Sequence, residues 1–322
     1  MKKGVFYTII SFMIVGVLFI FYSSTPMETE QTELAVVQDR ISQADTFIHD
    51  LEHDYLEHIV RATGYQTLYS LTEEMKDRGQ TGFFLDLEET FGHLMMTGQI
   101  GIDDIPSMQG KTLDKRLLDL KANVDETLFI DLTYKNPVIE VYQDDATGPW
   151  ALGLNLTLTL DMKTEAASWT KTLETMALLD ISGLEDPFFN IHTDGNVDRL
   201  IVPTEIADWD SEALKEHLDA ETYVHNERAP SFFDRLRNNI VPSACCGIES
   251  MISPDVINAG IVKQMSYVDH CYFSELCPGS EPGNVQLFNV DGITTQNFEF
   301  MLEPYHISFY NISNEEIEQV IP

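Results

Sequence analysis

The residue types best suited to chemistry cluster in "FIHDLEHDYLEH" (47–58), where His49, Glu52 and His53 form the pattern H-x-x-E-H. On a helix that spacing offers two imidazoles to a zinc ion and a carboxylate as general base, as in one class of metallopeptidase. Catalytic zinc also needs a third protein ligand and a dry, shaped cavity. The same alternation of acid and imidazole is normal for a solvated helix face. Ile48, Leu51 and Tyr55 set the apolar seam, which turns His49, Glu52 and His53 to the other side. The expectation is therefore a wet face, with His58 nearer the seam as an edge contact.

A second pattern is "DGNVDRLIVPTE". Asp194, Asn196, Asp198 and Glu205 fall at positions one, three, five and twelve of a calcium loop, with Ile201 at position eight. Position six, where the loop turns on glycine, is Arg199. Calcium is the one cofactor the sequence suggests, and the competing reading is a surface turn running into an apolar strand.

The four cysteines, Cys245, Cys246, Cys271 and Cys277, lie close together near the C-terminus. In an exported chain they oxidise, and an even count implies two bridges with three possible pairings. Strain in a vicinal ring favours cross-links between the Cys245–Cys246 pair and Cys271/Cys277. A metal site using His270 is the alternative, although the spacing matches no standard zinc module. Asn155-Leu156-Thr157 and Asn311-Ile312-Ser313 are glycosylation sequons in an exported chain. Asn155 falls in a predicted strand and is accessible only if it points outward. No nucleophile elbow, dinucleotide fingerprint or phosphate loop is present, and no catalytic residue is assigned. With 53 acidic residues, paired carboxylates carry no information.

The elements that must position these residues begin with an anchor. Lys2 and Lys3 precede an uncharged run from Val5 to Tyr22. As a helix that run reaches roughly 27 Å, near the thickness of a bilayer core. It exceeds the usual apolar core of a secretory leader, about 7–15 residues, and Ser23-Ser24-Thr25 is a poor cleavage site. A retained transmembrane helix is expected over residues 1–25. Lys2 and Lys3 before the span, with Glu28, Glu30 and Glu33 after it, put the N-terminus in the cytoplasm and the rest outside. All 53 acidic residues follow the span, and the formal charge is −34. That argues against nucleic acid and anionic lipid surfaces as partners and suits a solubilised surface domain, a cation-rich milieu or a basic partner.

Apolar residues at Leu34, Val37, Ile41, Ala44, Ile48, Leu51 and Tyr55 are spaced as a helix seam. Helical character continues through Ile59, Ala62, Leu68 and Leu71 to about Met75, with Gly79 as the stop. Shorter helices are expected at 83–96 and 113–124, completing a helical region over 26–126. Period-two alternation then predicts an antiparallel meander over 127–189: "LFIDLTY", "VIEVYQ", "ALGLNLTLTLDM" and "AASWTKTLETMALLDI", with "KNP" and "DDATGP" as turns; the Ala, Leu and Glu of the last run also suit a helix. Residues 190–322 read as a disulfide-stapled mixed α/β extension with a helix at 211–220 and strands in "SYVDHCYF", "VQLFNV" and "HISFYNI". The fold class is α+β: a transmembrane helix, then a long amphipathic helix packed on an antiparallel sheet.

"MKKGVFYTIISFMIVGVLFIFY" followed by "RISQADTFIHDLEHDYLEHIVRATGYQTLYSL" resembles a set of archaeal membrane-anchored envelope proteins with no assigned activity. "ISGLEDPFFNIHTDG" and "APSFFDRL…GIESMISPDVINAG…SYVDHCYF" resemble segments of the same proteins. The N-terminus is also similar to type IV pilins. Lys3-Gly4-Val5 resembles the archaeal prepilin processing site, and Pro26 falls where pilin helices kink. Ile9 stands where bacterial pilins carry a glutamate used in assembly. The resemblance implies an extracellular structural or adhesive role, as a minor pilin-like subunit, with self-association through the Leu34–Tyr55 helix. The alternative is a membrane-tethered enzyme or ligand-binding receptor, with a pocket lined by His192, Asp194 or His270.

Overall fold

The computed structural model describes residues 13–15, 17, 38, 40–79, 82–84, 86–164, 167–253, 264–275, 277, 286–294 and 299–320. The processing site Lys3, Gly4 and Val5 lies outside the described residues, as do Leu34 and Val37. So does most of the expected transmembrane span, of which 13–15 and 17 are helical. Among the described residues no helix is long and apolar enough to cross a membrane.

The chain is helical from residue 40 to Arg78. Its last and longest part is α1 (Leu56–Arg78), entered through a π turn at Leu51–Tyr55. A π turn inserts one residue and rotates the seam that follows. The 3–4 spacing predicts Tyr55 in the core. Instead Tyr55 is 45% exposed and Leu56 is buried in its stead. The same rotation leaves Ala62 exposed and buries Thr63, Gly64 and Thr67. Gly79 ends the helix at positive φ, as expected.

α2 (Leu87–Thr97) starts at an Asp86 cap, and α3 (Leu113–Leu128) at a Thr112 cap. Between them a short hairpin, β1 (Gln99–Ile100) with β2 (Asp103–Asp104), folds back through a 3₁₀ turn at Pro106–Met108. The main sheet is an antiparallel meander of β3 (Asp131–Tyr142), β4 (Ala151–Lys163) and β5 (Ser168–Asp180), in that order. It has three strands where the sequence predicted four. "KNP" is a bulge within β3, not a turn between strands. Asn136 takes a left-handed backbone, Pro137 supplies no N–H, and the register shifts between Lys135 and Val138 while pairing to β4 continues.

Leu152, Leu154, Leu156, Leu158 and Leu160 of β4 alternate onto one buried face, joined by Leu173, Ala177 and Leu179 of β5. α1 packs on β4 and β5, whereas α2 and α3 pack on β3. Gly64 makes the closest approach: a Cβ there would stand 2.3 Å from Leu154 Cδ1 and 3.1 Å from Leu179 Cδ1.

The remainder is a string of short elements. These are α4 (Pro187–His192), α5 (Ser211–Asp219), β6 (Tyr223–His225), α6 (Phe232–Arg235), β7 (Ile248–Ser250), α7 (Asp269–Ser274), β8 (Leu287–Thr294), β9 (Glu299–Leu302), α8 (Pro304–Phe309) and β10 (Ile317–Val320). β6 pairs with β7, and β10-β8-β9 form a second antiparallel sheet. "SYVDHCYF" and "HISFYNI", expected as strands, contribute α7 and α8. Pro304 at the first turn of α8 fixes a helical φ, and both segments are too short for their period to separate helix from strand. Buried apolar residues from Ala44 to Ile312 form one continuous core, so the C-terminal region shares the interior of the sheet domain. The coarse expectation of an α+β fold with antiparallel sheets therefore holds.

Leu154→Ala should cost about 2–5 kcal/mol, the range for a large-to-small change in a packed core. Adding Gly64→Ala should then recover part of that loss, because its methyl enters the vacated space and alanine favours helix. Urea unfolding of the two variants against wild type reads both effects.

Candidate functional site: a buried charge network

A set of ionisable side chains lies wholly inside the C-terminal region. Asp186 caps α4, its Oδ1 accepting from Phe188 N at 3.1 Å, with Pro187 at the first helical position. Its Oδ2 accepts from Tyr223 Oη at 2.9 Å and from Arg235 Nε and Nη2 at 2.9 and 2.7 Å. Arg235 closes α6, which starts at a Ser231 cap. Its Nη2 also donates to Asp269 Oδ2 at 2.5 Å, and the guanidinium lies 4.7 Å from the centre of the Phe188 ring. Asp269 Oδ2 accepts in addition from Ser250 N at 3.0 Å. Arg235 and Asp269 are 0% exposed, and Asp186 only 1%. Burial works against the charge on Asp269, yet Arg235 and His270 outweigh it and hold the carboxyl well below its ordinary range.

Beside this ion triad lie Glu249, His270 and His306. Glu249 sits on β7, opposite Val224 of β6. Gly247 precedes that strand where a Cβ would stand 2.2 Å from the Asn226 carbonyl oxygen, so only glycine lets β7 lie so close. Glu249 Oε2 accepts from Asn226 Nδ2 at 2.8 Å and faces His306 Nε2 at 3.0 Å; its Oε1 accepts from Tyr310 Oη at 2.6 Å. His306, one turn into α8, places Nδ1 against Glu303 Oε1. Burial opposes a charge on His306, but Glu249 and Glu303 more than offset it and raise its pKa to about 10. In return Glu303, despite burial, is held down to about 2 by His306. His270 Nδ1 lies 3.2 Å from Asp269 Oδ1 and 4.0 Å from Glu249 Oε2. Its Nε2 has no hydrogen-bond partner among the described residues, although the side chain is 0% exposed. One ligand-capable atom from each of Glu249, His270 and His306 lies within 4.8 Å of the other two.

Two further polar residues border the network. Arg199 donates through Nη1 to Ser250 Oγ at 2.7 Å and to the Met251 carbonyl at 2.6 Å, with its guanidinium over Phe189. His217 on α5 is buried edge-on against Trp209, with Nδ1 2.6 Å from Thr222 Oγ1. Burial pushes its pKa down to about 4.

His49 and His53 are exposed, their rings tilted at 40° with centroids 4.1 Å apart, while Glu52 is ion-paired with Lys171 of β5. Asp194, Asp198 and Glu205 do not converge among the described residues. Asp198 instead accepts from Asn190 Nδ2 at 2.7 Å and lies 3.4 Å from Lys76 Nζ. Asn196 turns its amide back to the Thr193 carbonyl, and Arg199, at the expected glycine position, is drawn inward to β7. Asn155 lies on the sheet face opposite the helices, between Glu140 and Glu174; Asn311 is exposed in the turn after α8.

The cysteines pair as Cys245–Cys246 and Cys271–Cys277, with Cα separations of 3.7 and 4.3 Å. This corrects the expected cross-links. Cys277 returns to Cys271 within a six-residue separation, a closure far shorter than one spanning from α6 to α7. His270 is enclosed and Asp194 stands on an exposed turn, so the three residues proposed to line a pocket are not gathered into one. A cleft of about 450 Å³ bordered by Gly98, Ile105, Met108, Thr112 and Lys115 contains none of the network residues.

No protein family, curated protein or solved structure matches this chain.

Sequence reasoning singled out Cys271, Cys277 and His270 but missed Asp186, Arg235, Glu249, Asp269, Glu303 and His306. The signal present was a charge set among aromatics, as in "EDPFF", "SFFDRL" and "SYVDHCYF".

Arg235→Met should destabilise the fold by about 3–5 kcal/mol, because it leaves the Asp186 and Asp269 carboxylates buried without their counter-ion. Denaturant unfolding at neutral pH reads this directly. His217 gives a pH-dependent test. Its folded pKa of about 4 lies below the ordinary 6.5, so its stability contribution is complete above pH 6.5 and is lost as pH falls towards 4. The loss approaches about 3 kcal/mol. His217→Gln should flatten that part of the pH–stability curve relative to wild type.

Proposed function

We propose that the chain is a single-pass cell-envelope protein, with its N-terminus in the cytoplasm, a transmembrane anchor near residues 1–25, and an outward-facing domain of structural or adhesive role. The observation that carries this reading is the inward placement of the chemically capable groups. Glu249, His270, Asp269 and Arg235 are 0% exposed and are engaged with one another and with neighbouring elements. A catalytic carboxylate or imidazole must reach a substrate; these hold segments together. Two disulfides fit an oxidising compartment. The strongly acidic composition suits a solvated surface domain.

In its finer form the proposal is a minor pilin-like subunit, processed between Gly4 and Val5. Part of the apolar stripe offered for self-association is used internally: Ala44, Ile48 and Leu51 are buried in the chain's own core. Among the described residues of that stripe, Tyr55 is exposed and Ile41 half-buried, and these remain for a neighbouring subunit.

Intact mass of the protein from its native membrane, measured with and without reduction before alkylation, tests both levels. The envelope reading expects the chain in the membrane fraction with four thiols alkylated only after reduction. A soluble, cytoplasmic chain with thiols labelled before reduction would overturn it. A mature chain starting at Val5 supports the pilin-like form, and one retaining Met1–Gly4 rejects that form alone.

A further inference from the structure

The geometry points to a buried transition-metal site, of the kind that takes Zn²⁺, with three protein ligands from Glu249 of β7, His270 of α7 and His306 of α8. Two imidazoles and one carboxylate are a ligand set that zinc accepts. One donor atom from each lies within 4.8 Å of the others, and His306 Nε2 is already 3.0 Å from Glu249 Oε2. Donors about 2.0–2.1 Å from a shared tetrahedral ion stand roughly 3.3 Å apart, so closing the site requires side-chain shifts of about an ångström.

The surroundings match what such ligands need. A metal-binding histidine is oriented by a carboxylate or carbonyl at its other nitrogen. Asp269 stands 3.2 Å from His270 Nδ1, and Glu303 occupies His306 Nδ1. That leaves His306 Nε2 for the ion, once it gives up the proton shared with Glu249, and His270 Nε2, on a ring whose Nδ1 lies 4.0 Å from Glu249 Oε2. Glu249 is aimed in turn by Tyr310 and Asn226. The independent observation is His270 Nε2: fully buried, capable of one strong interaction, and without a hydrogen-bond partner among the described residues. A buried polar atom left so is costly, and ligation removes that cost.

The site ties together three short elements that no single sheet or helix joins. β7 pairs with β6, α8 follows β9, and α7 is fastened by Cys271–Cys277 immediately after His270. Its enclosure makes it a fastening rather than a reaction centre, which is compatible with the structural role proposed above but independent of it.

The test uses the full chain, stripped of metal under non-reducing conditions and titrated with Zn²⁺ or Co²⁺. The expected result is one equivalent bound per chain and a thermal midpoint raised by Zn²⁺ and lowered again by chelator. X-ray absorption of the loaded protein should be fitted by nitrogen and oxygen, with imidazole and without sulfur. His270→Gln should weaken binding by more than roughly 100-fold, beyond the effect of losing an outer partner. If that variant does not fold, the wild-type spectrum and a second variant still decide. His49→Ala/His53→Ala removes the exposed imidazole pair, touches none of the core, and should bind as wild type does. Absence of binding to the folded wild type, sulfur in the metal shell, or loss of binding in the His49/His53 double variant would each overturn the site.

Discussion

The C-terminal half depends on one charge placed where water cannot reach it. Arg235 is fully enclosed, and a buried guanidinium without counter-ions would be prohibitively costly. Asp186 and Asp269 flank it, at 2.7 and 2.5 Å. Because the two carboxylates come from distant segments, the need to satisfy one cation specifies where α4 and α7 stand relative to α6. Asp186 also caps its own helix, so it fixes both the direction of α4 and its position. Such a triad adds less to net stability than its contacts suggest, since desolvation consumes most of the Coulomb gain. Its effect here is specificity: a misplaced α4 or α7 would strand a charge.

Short elements make that constraint necessary. α4, α6, α7 and α8 span four to six residues each, too few to be stable as isolated helices. Nor can they bury a wide apolar face. The N-terminal half is held differently. There a long helix lies on a broad leucine face through Gly64, and burial of apolar surface suffices without internal charge. One core thus runs through two regimes, apolar packing against the first sheet and polar cross-linking beyond it.

The difference explains what the sequence disclosed. Periodicity is a local property, so α1 to α3 and the main strands were legible from spacing alone. The errors in that half are also local. A π turn inserts one residue and exposes Tyr55, and a bulge at Asn136-Pro137 imitates a turn. In the C-terminal half the charge contacts that join separate elements span tens of residues: Arg235 meets Asp186 and Asp269, and Glu249 meets His306. No window of sequence contains such a contact. His49, Glu52 and His53 stand out in the sequence because their spacing is local, yet in the fold they are exposed or paired at the surface. Asp269, His270, Glu303 and His306 form no fixed-spacing motif, although their aromatic surroundings mark them as buried.

The segment 269–271 shows how tightly the interior is determined. Three consecutive residues are engaged in three different ways: Asp269 with Arg235, His270 towards Glu249, and Cys271 with Cys277. α7 has no side-chain cap at its N-terminus, so these tethers rather than helix chemistry hold it. A six-residue helix anchored through adjacent residues has little freedom to rotate. The orientation of the His270 ring is then imposed by the fold, including the direction of a nitrogen that forms no hydrogen bond with the described residues. An imidazole free to turn would swing towards a partner. One held by its neighbours on both sides, with Nδ1 facing Asp269 and Glu249, keeps the orientation the fold gives it.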